Sequence, residues 1–185
     1  MIRIGVTGHR ILTEVDKLQA GVDQAFAWID RIMPGEEWSV ISSLAEGADR
    51  LVVNQAFKRK PQTRLIVPLP LPVEEYQQDF SSAESLQEFR RLLNLAKEII
   101  HPAAVSSHED GYLAAGQYIL EHSTVLIALW DGQAAQGLGG TGEIVPEAFK
   151  RGLPVAWVHC GNREPGTREP ASLGVEQGRV SFNFL

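Results

Sequence analysis

The chain alternates short apolar, strand-like runs with segments of helical periodicity, and this alternation limits its possible folds more than any other feature. Residues 2–6 form a β-branched run that ends in Thr7-Gly8-His9-Arg10. Apolar side chains then recur at Val15, Leu18, Val22, Phe26, Ile29 and Met33, the three-or-four spacing of one helix face, until Pro34-Gly35 stops it. Trp38–Ile41 reads as a second strand, and residues 46–57 as a helix with Leu51, Val52 and Ala56 on its apolar stripe. Leu65-Ile66-Val67 is a third strand, halted by Pro68, Pro70 and Pro72. A helix is predicted from Ser81 or Ser82, where Ser81 and Glu84 have capping-box spacing, with Leu86, Phe89, Leu92, Leu93 and Ala96 on its buried face. Ile99-Ile100 is a weak strand, residues 112–121 a helix, and residues 124–130 the clearest strand of all. A Gly-rich loop over 131–142 leads to a helix over 143–150 and a strand over 154–159. Pro146 fits that helix only in its first turn. Residues 161–178, rich in Gly, Pro and charge, read as a long loop, and 180–185 as an edge strand.

Strands separated by helix-length segments imply βαβ units. The expected fold class is α/β: one doubly wound, mainly parallel Rossmann-like sheet over residues 1–185, with helices on both faces and right-handed crossovers. The composition agrees. With 185 residues, 44% of them hydrophobic and 22% charged, the chain can bury roughly 70% of its unfolded surface without disulfides or metals. No apolar run reaches the roughly 18 residues of a membrane span. The opening Met1-Ile2-Arg3-Ile4-Gly5 lacks a secretory pattern, and Cys160 is the single cysteine, so a cytoplasmic location is expected. Seventeen Lys and Arg against 23 Asp and Glu give a net charge of −6, which argues against broad neutralisation of a duplex backbone.

In an open parallel sheet, ligands bind at the carboxyl ends of the strands, where the strand order reverses. Three predicted strand ends carry Gly and polar residues. The first offers Gly8, His9 and Arg10, and the second Ser43, Glu46, Gly47 and Asp49. The third offers Asp131 and Gly132, followed by Gly139, Gly140, Thr141, Gly142 and Glu143. Glycines in such turns let backbone N–H groups approach an anion, and the following helix adds its positive end. The 139–142 turn is therefore the candidate phosphate cradle, with Thr141 adding a hydroxyl. Arg10 either grips phosphate in bidentate fashion or pairs with Glu14 at the surface. Glu143 is either an ordinary first-turn acid or a catalytic carboxylate, nucleophile or general base. Asp131 is either the first residue of an Asp-Gly turn or an acceptor for ribose hydroxyls. Asp49 and Arg50 have the spacing of a local pair. Tyr76 and Asp79 either close over a base or belong to a surface loop anchored by Phe80. His101, His108, His122 and His159 lack metal-ligand spacing, so no metal is expected. Trp130 and Trp157 read as core. The glycine run matches neither the dinucleotide fingerprint nor a P-loop.

These motifs carry a resemblance. IRIGVTGHR, residues 2–10, is similar to the opening strand and turn of the Rossmann-like superfamily that unites the DNA-processing protein A and Lonely Guy proteins (SLOG-type). SLAEGAD, residues 43–49, resembles the second-strand signature of the DNA-processing branch. GGTGE, residues 139–143, resembles the Gly-rich turn of the Lonely Guy branch and of nucleoside deoxyribosyltransferases, in which an Asp-Gly pair ends the preceding strand as Asp131-Gly132 does here. The Lonely Guy pattern G-G-x-G-T-x-x-E runs out of step in this chain, with Glu143 in the place of its Thr and Pro146 in the place of its Glu. What the resemblance implies first is therefore binding of a nucleotide or phosphorylated nucleoside. An N-glycosidic hydrolase or transferase using Glu143 and Asp131 is the alternative, and a protein-interaction domain with a vestigial site is a third. The expected partner is a small-molecule nucleotide or ribose phosphate, with no cofactor and no membrane. The acidic balance weighs against nucleic acid, and a homo-oligomer stays open.

Overall fold

The computed structural model describes residues 1–101, 107–134, 140–164, 166–167 and 169–183. The elements follow in the order β1 (Ile2–Gly8), α1 (Val15–Ile32), β2 (Trp38–Ile41), α2 (Ala48–Arg59), β3 (Arg64–Pro68), α3 (Val73–Tyr76), α4 (Ala83–Leu93), β4 (Glu98–Ile100), α5 (His108–His122), β5 (Val125–Trp130), α6 (Thr141–Lys150), β6 (Val155–His159) and β7 (Val180–Asn183). Short 3₁₀ turns lie at Gln77–Asp79 and Gly174–Glu176. The strands form one seven-stranded sheet in the order β4-β3-β2-β1-β5-β6-β7. Every neighbouring pair is parallel except β6 and β7, which are antiparallel. The order reverses between β1 and β5, which places the topological switch point at their carboxyl ends.

Alternation along β1 separates the two faces of the sheet. A Cβ built on Gly5 would strike Ser123 and Ile119 beside and within α5, whereas one on Gly8 would strike Ala48 at the start of α2. Even-numbered positions of β1 therefore look toward α1 and α2, and odd-numbered ones toward α5 and α6. On the first side Ile4, Val6, Val22, Phe26, Val52 and Leu65 belong to the larger core cluster, where Phe26 stacks on Trp38 at 4.8 Å. On the second side Ile119, Leu126, Ala128, Trp130, Ile144 and Val145 form the smaller cluster. No helix among the described residues is long and apolar enough to cross a membrane.

The structure decides between two offered caps and corrects two further expectations. Helix α4 is capped by Ser82, whose hydroxyl accepts from the Ser85 N–H, because Ser81 is engaged elsewhere. The Gly-rich stretch does not stay a loop as far as residue 142, because α6 already begins at Thr141. That start puts Pro146 in the second turn of α6 instead of its first. Pro146 has no N–H to offer the Gly142 carbonyl, four residues earlier. The 161–178 stretch carries the turn at Gly174–Glu176 and an isolated Arg163–Pro170 bridge.

Candidate functional site

Two glycines fasten the first strand end to the second helix. A Cβ on Gly8 would lie 2.4 Å from the Ala48 Cβ and 2.9 Å from the Leu129 backbone. Gly47 has φ of +77°, and a Cβ there would lie 2.4 Å from the Arg10 carbonyl oxygen and 2.6 Å from that of His9. The Ala48 N–H donates to the His9 carbonyl at 3.0 Å, and the His9 N–H to that of Leu129 at 3.1 Å. The turn after β1 is thus pinned between the start of α2 and the end of β5. Close backbone approach accounts for both glycines.

The start of α6 faces this turn. Gly140 is the N-cap residue and brings no capping side chain. The N–H groups of Glu143 and Ile144 return to the Gly140 carbonyl at 2.9 and 3.1 Å. Those of Thr141 and Gly142 have no backbone partner among the described residues. Orphan donors and the positive end of the helix dipole together favour an anion. The Thr141 hydroxyl meets that of Thr7, at the end of β1, at 3.4 Å. In the sequence Thr7 opens the Thr7-Gly8-His9-Arg10 turn but is not among the candidate site residues; the structure adds it and places it in β1. Glu143 is the third residue of α6 and half-buried. Gly139 lies outside the described residues.

At the end of β5, Asp131 folds back on its own turn. Its Oδ1 accepts from the Gln133 N–H at 3.0 Å, an Asx turn, and Gly132 follows with φ of +82°. The Asp131 backbone N–H donates to His9 Nε2 at 3.1 Å, and Oδ1 lies 3.1 Å from the same nitrogen. Burial lowers the His9 pKa below its ordinary value and outweighs the Asp131 carboxylate, which works to raise it. Cys160 is fully buried, and burial, followed by the Asp131 charge, pushes its thiol up to about 12.

The end of β2 is a network of internal anchors. The Ser43 hydroxyl donates to the Pro68 carbonyl at 2.9 Å, and Leu44 sits buried with φ of +58°. Glu46 accepts from the Ser81 N–H and hydroxyl at 2.9 and 2.8 Å, and from the Ser85 hydroxyl. Arg50 donates to the Leu44 carbonyl at 2.9 Å and to the Ser85 carbonyl at 2.7 Å, with its guanidinium 4.5 Å from the Phe80 ring centroid. The expected local pairing of Asp49 with Arg50 is therefore replaced by longer-range contacts. Asp49 is buried, accepts from the Ser42 hydroxyl at 2.7 Å, and is held by the Ala45 N–H. Burial raises its pKa from 3.8 to about 6, against the hydrogen bonds and the Arg10 and Arg50 charges, which lower it.

A folded-state value above the unfolded one means that the fold favours the protonated acid. Ionisation consequently removes stability as pH rises from the unfolded value through about 6. Asn at this position does not titrate. The Asp49→Asn variant is therefore expected to gain on the wild type by up to about 3 kcal/mol between about pH 4 and pH 7, read by urea denaturation. A difference that does not change with pH contradicts the assignment.

Arg10 is exposed, with its guanidinium 5.3 Å from the Tyr112 ring centroid. Partial desolvation works against its charge, but Tyr76, Tyr112 and Asp79 hold its pKa above the ordinary value. The Tyr112 hydroxyl donates to Asp79. Burial and this bond push the phenol up to about 12, against the pull of Arg10. Tyr76 is fully buried, its hydroxyl without a hydrogen-bond partner among the described residues. Arg10 is thus held on the β2 side of the switch point by Tyr112, a residue the sequence offered only as part of a helix. The expected Glu14 pairing is not made, because Glu14 pairs with Lys17.

The structure therefore brings Gly8, His9, Asp131, Thr141 and Gly142 together around the switch point. Ser43, Glu46 and Asp49 line the neighbouring strand end and are occupied by internal bonds. An open groove of about 600 Å³ between α1 and α2, lined by Leu12, Val15, Leu51 and Phe57 among others, shares only Gly47 with the candidate positions.

No protein-family model matches the chain, and no curated protein matches it. Among solved structures, the X-ray structure of DNA processing protein A (DprA) from Streptococcus pneumoniae is similar, with a TM-score of 0.55 at 14% identity. The match covers 97% of this chain and 54% of that one, so the chain spans about half the length of that protein. The likeness is one of fold: the two share a Rossmann-like α/β architecture.

Proposed function

We propose that the chain binds a nucleotide or phosphorylated nucleoside at the carboxyl ends of β1 and β5. The observation that carries this reading is the start of α6, set at the switch point with no side-chain cap and with two N–H groups that no backbone carbonyl among the described residues claims. Phosphate rests on the Thr141 and Gly142 N–H groups, and the Thr7 and Thr141 hydroxyls lie beside it. Arg10 supplies the cation after exchanging part of its contact with Tyr112. A net charge of −6 suits this mode, in which backbone dipoles hold one small anion, and does not suit a long polyanion.

The reading is tested by titrating AMP, GMP, CMP and UMP into the labelled protein and following backbone amides by NMR. The Thr141 and Gly142 amides are expected to shift most. Binding that leaves both amides unmoved overturns the location. The same samples test for chemistry: free base released from any of the four moves the reading to N-glycosidic cleavage, with Glu143 the carboxylate nearest the proposed phosphate in sequence.

A further inference from the structure

We propose, building on the ligand reading above, that His9 serves the site as a neutral hydrogen-bond donor, offering Nδ1–H to an oxygen of the ligand, with Asp131 positioning its ring. His9 follows Thr7 by two residues, and its N–H extends the ladder to Leu129, so it continues the side of β1 that meets α6. Its side chain is only 10% exposed. A backbone N–H can only donate. Two groups of Asp131 lie 3.1 Å from His9 Nε2: the N–H, which needs a lone pair there, and Oδ1, which would need a proton. Because Oδ1 already accepts from the Gln133 N–H, we assign the lone pair to Nε2 and the ring proton to Nδ1. Nδ1 has no hydrogen-bond partner among the described residues, so its proton is open to an acceptor on a ligand.

The Asp131 carboxylate is the charged group that faces the ring. It is tied to the Gln133 N–H, and across it lies the Cys160 thiol at the end of β6. Arg10, the next residue in the chain, is turned to Tyr112. Asp131 thereby becomes a positioning residue: its backbone fixes the tautomer and its side chain shapes the turn that presents that backbone. The acceptor on the ligand is a phosphoryl or sugar hydroxyl oxygen. Nδ1 carries its proton in both the neutral and the charged ring, so the contact survives titration of the ring.

The experiment has a ligand-free arm and a binding arm. In the free protein at neutral pH, long-range ¹H–¹⁵N spectra of His9 are expected to show the Nδ1–H tautomer. An Nε2–H or fully protonated ring overturns the proposal. In the binding arm, His9→Asn places an amide nitrogen near the position of Nδ1, whereas His9→Gln places one near Nε2. Affinity for the tightest-binding nucleoside monophosphate is expected to fall less than about threefold for His9→Asn and about tenfold for His9→Gln. Wild-type affinity is expected to hold as pH rises past the ordinary histidine range, where a cationic contact would lose strength. Equal affinity in both variants, with the Thr141 and Gly142 amides still shifting, overturns the role of His9 and leaves the site standing. Unmoved amides together with the Nδ1–H tautomer overturn the site, and the ligand role of His9 with it. Ribose 5-phosphate and inorganic phosphate distinguish the two oxygens: a His9→Gln loss seen with both assigns phosphoryl, and one seen only with the sugar assigns hydroxyl.

Discussion

Replacing Gly47 with alanine is expected to lower the stability of the fold by about 3 to 5 kcal/mol. Two separate costs add. Gly47 has φ of +77° and ψ of −117°, a backbone region in which an L side chain is strained by about 1 to 3 kcal/mol. The new Cβ would also lie 2.4 Å from the Arg10 carbonyl oxygen and 2.6 Å from that of His9. Neither oxygen belongs to a flexible side chain, so the turn itself must move, and the Ala48–His9 hydrogen bond moves with it. Gly35→Ala is the natural control, since Gly35 has φ of +76° but nothing within 4 Å of an added Cβ. It shows the cost of the backbone angle alone, about 1 kcal/mol. Urea denaturation of both variants checks the comparison. A Gly47→Ala loss no greater than that of Gly35→Ala would show that the turn after β1 is not pinned as described.

The sheet was legible because its signal is local. β-branched runs such as residues 2–6 and 124–130 alternate with helical periodicities, and the observed strands fall at those places. The site was legible in its glycines, which mark backbone turns in any context. Side-chain partnerships were not, because they join residues far apart in sequence. Ser81 and Ser82 look alike as caps, and what separates them is that Glu46, 35 residues away, takes the Ser81 N–H and hydroxyl. Arg10 and Tyr112 are joined only by the packing of α5 beside β1. The Asp49 carboxylate looks like the partner of Arg50, its neighbour. Burial under the β2 end instead gives it Ser42 and sends Arg50 to Leu44 and Ser85. The local sequence points to a start of α6 two residues late, because a glycine at its second position argues against helix, whereas packing of Ile144 and Val145 against β5 decides it.

The other large effect concerns the ligand. Gly140 has φ of −76° and ψ of 163°, which any residue adopts, so nothing in the backbone demands glycine there. Aspartate is among the best N-cap residues, and its carboxylate accepts from the N–H groups of the first turn. Gly140→Asp should therefore preserve α6, or strengthen it by a few tenths of a kcal/mol. It also fills the phosphate position with a carboxylate. The incoming anion then loses the orphan donors and meets a like charge, and affinity should fall about a hundredfold or more. Gly140→Asn, neutral and of the same shape, separates the two causes. It occupies the donors without repelling phosphate, so its loss should be smaller. The decisive measurement is calorimetric titration of the nucleoside monophosphate that binds best into wild type and Gly140→Asp, with unfolding curves recorded on the same preparations. Binding by the wild type that disappears in a fully folded variant is the expected result. Equal affinity in the two proteins would contradict a phosphate site at the start of α6.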